Sequence, residues 1–435
     1  MNIRNIYSFI ILLLFPTNIC GQNYTSYLTG KTTNISKLTN GGVCLMGGST
    51  ENDEAMKWFL TKANGGDVLV LRASGSDGYN DYMYTQLGIE INSVETIVFK
   101  NLGASNEEYI HNKIKQAEAI WISGGDQWTY IRYWRGNAIS KLINDAIITR
   151  KIVIGGTSAG MAIMGKYYFS AKNGTVTSAE ALNNPYAANV TIDSTTFIKN
   201  SILSNIITDT HFDNPNRKGR LITFMAKSLT DDAFSLRGIA CDKYTAVCIE
   251  NEGIAKVFGN YPNSDDNAWF IQPNCELLNY YPEKCVINSP LNWNYAGEAV
   301  KVYQVKGTST GENNFNLNDW KTGKGGEWKN WFVVDGKFTE VANDEINCGT
   351  LSVKDQLNLS NNLKLYPNPI SNLLHISCSE NILEVEIYNL QGTLQKMLID
   401  NKKTIETSIE DLITGIYIIR IKTKGNEYLR KLIKN

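Results

Sequence analysis

A chain of 435 residues, 43% of them hydrophobic, can bury a sizeable core, and its length suggests two or three domains. A net charge of −1 gives no electrostatic case for nucleic acid or an anionic membrane surface. Arg4 precedes the apolar run Phe9-Ile10-Ile11-Leu12-Leu13-Leu14-Phe15, broken by Pro16. That run is too short to span a bilayer and has the layout of a secretory signal, with cleavage expected near Gly21–Gln22. The mature chain is therefore expected outside the cytoplasm, without a transmembrane segment. Cys20 leaves a lipidated-cysteine reading open, although Asn18-Ile19 is a poor approach to one. The other seven cysteines show no tight Cys-x-x-Cys spacing, so no metal site is expected. Cys275 and Cys285, in a polar Tyr/Pro/Asn-rich segment, are the favoured disulfide pair. Cys241 and Cys248 lie in apolar runs that suit buried free thiols equally well.

From residue 40 strand-like and helix-like segments alternate. Val43–Met46 ends in Gly47-Gly48 and precedes a helical stretch through Ala55, Trp58 and Phe59. Asp67–Leu71 leads into Arg72-Ala73-Ser74-Gly75. Thr96–Phe99 precedes a capping-box pattern, Ser105-x-x-Glu108, and a helix with Ile110 and Ile114 on one face. Ala119–Ile122 runs into Ser123-Gly124-Gly125-Asp126-Gln127, and Ile139, Leu142, Ile143, Ala146 and Ile147 fall at helical spacing. This alternation predicts a doubly wound, mostly parallel sheet covered on both faces, with sites at the carboxyl ends of its strands. Residues 170–200 read as loop-rich, Thr245–Ile249 as a further strand, and 255–355 as strands with long loops.

The next strand carries the chemistry. Lys151-Ile-Val-Ile-Gly-Gly156 leads into Thr157-Ser158-Ala159-Gly160 and then an apolar helix start. A serine at such a sharp strand-to-helix turn exposes its hydroxyl at the sheet edge, and a side chain at Gly156 or Gly160 would crowd neighbouring backbone. The alternative is a glycine-rich connection in which Ser158 only caps the helix. A serine nucleophile needs a base that titrates near pH 7. Of the three histidines, His111 falls on the polar side of a helix and His375 in the carboxyl-terminal segment, which leaves His211 in Asp209-Thr210-His211-Phe212. The cluster Arg217-Lys218-Gly219-Arg220 that follows can hold a substrate carboxylate, or can be a solvated helix face.

Composition shifts near residue 355. Beyond it, short alternating runs (Leu373–Ile376, Val385–Tyr388, Ile416–Arg420) are separated by turn signals at Gln391-Gly392 and Lys424-Gly425-Asn426, which predicts a small all-β sandwich. Tyr366-Pro-Asn-Pro369, Tyr388-Asn-Leu-Gln-Gly392 and Lys431-Leu-Ile-Lys434 resemble the type A sorting domain of the Bacteroidetes type IX secretion system. That resemblance implies the secretion machinery as a partner and a secreted or cell-surface protein exported through the periplasm.

Gly124-Gly-Asp-Gln127, Gly155-Gly-Thr-Ser-Ala-Gly160 and Asp209-Thr-His-Phe212 with Arg217 and Arg220 resemble the cyanophycinase and dipeptidase E family of serine peptidases. Arg72-Ala-Ser-Gly75 and Gly238-Ile-Ala-Cys-Asp242 with Thr245-Ala246 fit it too. The resemblance implies a sheet like that of class I glutamine amidotransferases, Ser158 as nucleophile and His211 as base. It also implies an oxyanion hole from N–H groups of Gly125 and Ala159, with Gln127 lining the pocket and Arg217 and Arg220 binding substrate. The implied substrate is an aspartate-containing peptide or isopeptide, with no metal or organic cofactor. Two positions depart from the family pattern. Pro215 stands where a first arginine is expected, and Lys243 follows Asp242 where an acidic supporter of the histidine is common, so either Asp242 or Asp209 orients His211 or the triad lacks its acid and activity is weak. The expected division is a signal peptide at 1–21, a peptidase domain at 22–355, a linker at 356–364 and a sorting domain at 365–435.

Overall fold

The computed structural model describes residues 22–194, 197–277, 279–343, 345–346, 363–389, 393–424 and 427–435. The signal segment 1–21, Cys348, most of the expected linker and the turns at Gln391-Gly392 and Gly425-Asn426 lie outside them. Contacts divide the chain after Ile346 into two units.

The first unit is built on a ten-stranded sheet. β1 (Tyr24–Gly30) is its edge strand, followed in the chain by β2 (Val43–Met46), α1 (Asp53–Lys62), β3 (Asp67–Arg72), the single turn α2 (Gly78–Asp81) and β4 (Ser93–Phe99). Then come α3 (Glu108–Gln116), β5 (Ala119–Ile122), α4 (Gln127–Trp134), α5 (Ala138–Asp145), β6 (Val153–Thr157) and the short α6 (Ala159–Ala162). β4, β3, β5, β6 and β2 lie side by side in that order and all pair in parallel. Val43–Met46, Ala119–Ile122 and Val153–Thr157 are buried at every position, as a sheet covered on both faces requires. Asn52 caps α1 through the Ala55 N–H. The capping box expected at Ser105 does not form. The helix begins three residues later with Glu107 at its cap, and the Ser105 hydroxyl turns inward to the Tyr133 carbonyl instead.

After the two-stranded ribbon of β7 (Tyr168–Phe169) and β8 (Ile192–Asp193), which brackets α7 (Ser178–Asn183), the chain enters a second sheet. β9 (Ile206–Asp209) crosses through α8 (Lys218–Asp232) to a parallel β10 (Arg237–Cys241). β11 (Ala246–Ile249) and β12 (Ile254–Tyr261) return to the first sheet, pairing antiparallel beyond β2. β13 (Asn267–Pro273), β14 (Val300–Lys306), β17 (Gly326–Val334) and β18 (Lys337–Ala342) extend the second sheet, while β15 (Asn314–Asn316) and β16 (Gly323–Lys324) finish the first. The parallel core expected from sequence is thus joined by a six-stranded mixed sheet, and it is from this second sheet that His211 comes. Cys275 is disulfide-bonded, but Cys285 is a buried free thiol packed in the apolar core, so the Cys275–Cys285 pairing is corrected. Cys241 and Cys248 are buried free thiols. No helix among the described residues is long and apolar enough to cross a membrane.

The second unit is all β: β19 (Leu363–Tyr366), β20 (Leu373–Asn389), β21 (Leu394–Ser408), β22 (Gly415–Thr423) and β23 (Glu427–Lys434). The register of β20 shifts between Ser377 and Ile382, so its first part pairs with β19 and its second with β22, while β21 follows both. Alternate residues, among them Leu374, Ile376, Val385, Ile387, Ile419 and Ile421, form its core.

Candidate active site

The site assembles where β2, β5, β6 and β9 end. Ser158 leaves β6 at φ 51°, ψ −114°, a conformation sparsely populated for a non-glycine residue. Two glycines make the turn possible. A Cβ at Gly156 would sit 2.7 Å from the Gly160 carbonyl carbon and 2.9 Å from the Ile122 oxygen, and one at Gly160 would overlap the Ile122 oxygen outright. The Ser158 N–H donates to the Met46 carbonyl at 3.0 Å, tying the turn to the end of β2. Its hydroxyl makes no capping bond to α6; it lies 2.8 Å from His211 Nε2. His211, itself at φ 47°, donates its backbone N–H to the Gly47 carbonyl at 2.8 Å. The end of β2 therefore ties down both partners, Ser158 through Met46 and His211 through Gly47. Gly48 (φ 106°) touches the pair directly, since a Cβ there would be 3.0 Å from Ser158 Cβ and would overlap the His211 ring.

Half-buried His211 has its pKa lowered, first by burial and then by the Arg217 and Lys243 cations, with a smaller opposing influence from Asp213 and Asp209. Burial and the two cations both favour the neutral imidazole, the form that can accept a proton. The acids expected to orient it are committed elsewhere. Asp242 Oδ1 accepts from the Trp269 indole at 3.1 Å, and its Oδ2 from Asn267 Nδ2 at 3.0 Å and the Asn267 N–H at 3.2 Å. Burial raises its pKa to about 7, against the pull of those hydrogen bonds. Asp209 is clamped by Arg220, through Nε at 2.8 Å and through Nη2. Among the described residues no carboxylate accepts a hydrogen bond from His211, which corrects the expectation for Asp242.

Arg220 is corrected as well. It is 4% exposed, its guanidinium is spent on Asp209 and the Val176 carbonyl, and it stands as an internal support rather than a substrate ligand. Arg217 behaves differently. Its Nη1 donates to the Thr210 carbonyl at 2.9 Å and lies 3.9 Å from Asp209, but its Nε is buried with no acceptor. Burial and the neighbouring Arg220 lower its pKa to about 10.

Gly125 (φ 157°) and Gly124 form the exit of β5, and a Cβ on Gly124 would be 3.6 Å from Ser158 Cβ, so this loop flanks the hydroxyl. Ala159 opens α6, where a helix leaves its first N–H groups without internal partners. Gln127, the first residue of α4, is half-buried and donates through Nε2 to the Phe169 carbonyl at 2.5 Å. From sequence, Gly48 is legible as a glycine strand exit at the carboxyl edge of the sheet but not as a contact of His211, and Asp213 is not singled out. Asp213 lies two residues past the histidine, receives the Lys243 N–H at 3.0 Å and influences the imidazole. The signal available was its place in His211-Phe212-Asp213, directly before the Arg217 cluster.

Residues 43–257 match the model of peptidase family S51, and residues 364–435 match that of the secretion system C-terminal sorting domain. A cyanophycinase of Trichormus variabilis is 24% identical over 177 residues, 41% of this chain and 53% of that protein. One of Synechococcus elongatus is 25% identical over 237 residues, 53% of this chain and 69% of that protein. The chain spans about half the length of the first of these relatives. The crystal structure of a peptidase from an acI-B1 Actinobacterium aligns over 51% of this chain and 89% of its own, at 14% identity and a TM-score of 0.39. Residues 43–257 are thus similar to peptidase family S51, and residues 364–435 to the secretion system C-terminal sorting domain.

Proposed function

We propose that this protein is a secreted serine hydrolase that cleaves aspartyl peptide or isopeptide bonds. The observation that carries the reading is the 2.8 Å contact between Ser158 Oγ and His211 Nε2 at a turn whose backbone is held in a sparsely populated conformation. In the mechanism, His211 takes the hydroxyl proton as Ser158 attacks the substrate carbonyl. The N–H groups of Gly125 and Ala159 stabilise the tetrahedral oxyanion, and His211 then protonates the leaving amine. Water, deprotonated by the same imidazole, releases the acyl group. No metal or organic cofactor enters. Gln127 lines the pocket from the start of α4.

Substrate choice is assigned to Arg217, whose side chain stays partly exposed while Nη1 is held by the Thr210 carbonyl. A charged hydrogen bond to an aspartyl carboxylate contributes about 1.5–3 kcal/mol, so an aspartyl peptide should be cut faster than its asparaginyl analogue by roughly one to two powers of ten. Steady-state kinetics on the two peptides check this. Arg217→Ala should erase most of the preference while sparing slow background cleavage, and equal rates in the parent protein would reject the specificity.

A second reading is a surface-displayed binding protein that kept the peptidase fold with little activity. It is favoured by the absence, among the described residues, of a carboxylate bonded to His211. A folded protein that binds aspartyl peptides without turning them over would support it. For export we propose a signal peptide at 1–21, a catalytic domain at 22–355, a linker at 356–364 and a sorting domain at 365–435 that delivers the enzyme through the periplasm to the cell surface.

A further inference from the structure

The end of the sheet opposite Ser158 is also shaped for a ligand. A cavity of about 510 Å³ lies where Gly41-Gly42 enter β2 and Lys151-Ile152 enter β6. Since β6 separates the two ends by five residues, the cavity is on the order of 15–20 Å from the Ser158 turn. Ile147, Ile148, Ile152, Ile198 and Ile202 give it an apolar lining of a size typical for small-molecule sites. It continues, through Lys166, Ser201, Ile202, Ser204 and Asn251, into an open groove between Phe234 and Trp320.

The charge in this groove has one sign. Lys151, Lys166, Lys199 and Arg237 line it, and no aspartate or glutamate does. Among the described residues none of the four is ion-paired. Lys166 instead sits 4.6 Å over the Phe234 ring and Arg237 4.8 Å over Trp320. Arg237 is more than half buried, and its basicity is lowered by burial with no charge to offset it. A cation withdrawn from water without a counter-ion is costly, and a bound anion would relieve that cost. Lys151 holds a left-handed conformation (φ 53°) at the end of a helix, a position that glycine or asparagine ordinarily takes.

We propose that this cavity binds a small amphipathic anion, an acyl chain of medium length ending in a carboxylate or phosphate, with the chain among the isoleucines and the head between the cations. The site is distinct from the Ser158 turn, so binding does not depend on catalysis. Isothermal titration of the full mature chain with dodecanoate, below its micellar concentration, tests it. The expected result is saturable binding at one site, unchanged in Ser158→Ala. Lys151→Glu and Lys199→Glu, both at exposed positions, should each weaken it tenfold or more, and Arg237→Gln should do the same in protein shown folded by circular dichroism. Decyl phosphate should compete, whereas inorganic phosphate alone and dodecyltrimethylammonium should not. Three outcomes would overturn the proposal. They are no dodecanoate binding, equal binding of the cationic amphiphile, and binding indifferent to both surface charge reversals. Binding of inorganic phosphate as tight as that of decyl phosphate would overturn the role of the apolar cavity.

Discussion

Three acids, Asp209, Asp213 and Asp242, lie close in sequence or space to His211, yet among the described residues none bonds to its ring; Asp213 accepts the Lys243 N–H. Asp209 is held by Arg220, and Asp242 by Asn267 and Trp269. Arg217 and Lys243 depress the imidazole pKa beyond the effect of burial, and they outweigh the smaller opposing influence of Asp213 and Asp209. A lowered pKa keeps the base unprotonated as pH falls. The acid limb of kcat/KM should therefore lie below the ordinary histidine value of about 6.5. Lys243→Glu exchanges a cation for an anion, which favours the imidazolium. The limb should then move to higher pH, and the rate at pH 8 should rise if the new carboxylate orients the ring. A pH–rate profile in which the limb stays in place after Lys243→Glu would show that this side chain does not act on the base.

The strand-to-helix element at β6 and α6 was readable from residues alone, because Gly156, Ser158 and Gly160 announce a turn that only small residues permit. The contact of Gly160 with the Ile122 carbonyl makes the point quantitative. Gly160→Ala should destabilise the first unit by about 1–3 kcal/mol in urea unfolding, the usual cost of overpacking. A neutral effect would show that the turn has room to relax. The elements after residue 200 were less legible. His211 was found by elimination, but its setting in a second sheet was not, since β9 and β10 carry the same apolar signature as strands of the first. Arg220 reads from sequence as a substrate-binding cation because nothing there hints that Asp209, eleven residues earlier, turns inward to meet it. Ser105 failed as a cap for a similar reason: its inward hydrogen bond to Tyr133 depends on packing, not on local pattern. Gly48 was legible as a glycine exit but not as the floor under His211, because that contact joins residues far apart in the chain.

At the scale of the whole molecule, contacts separate the chain after Ile346 into two units, the second all β. Each has its own apolar core, the condition for folding alone. Deleting residues from Leu365 onward should leave a folded catalytic unit that accumulates in the periplasm, as cell fractionation and activity assays would report. Normal surface delivery of the truncated protein would remove the sorting role from the carboxyl-terminal unit. The central claim, that Ser158 is an activated nucleophile, is tested most directly by covalent labelling with a fluorophosphonate and mass mapping of the adduct. One phosphonyl group on Ser158, absent from folded Ser158→Ala and strongly slowed in His211→Ala, is the predicted result. A folded full-length chain that takes up no label, or takes it up on another residue, would contradict it.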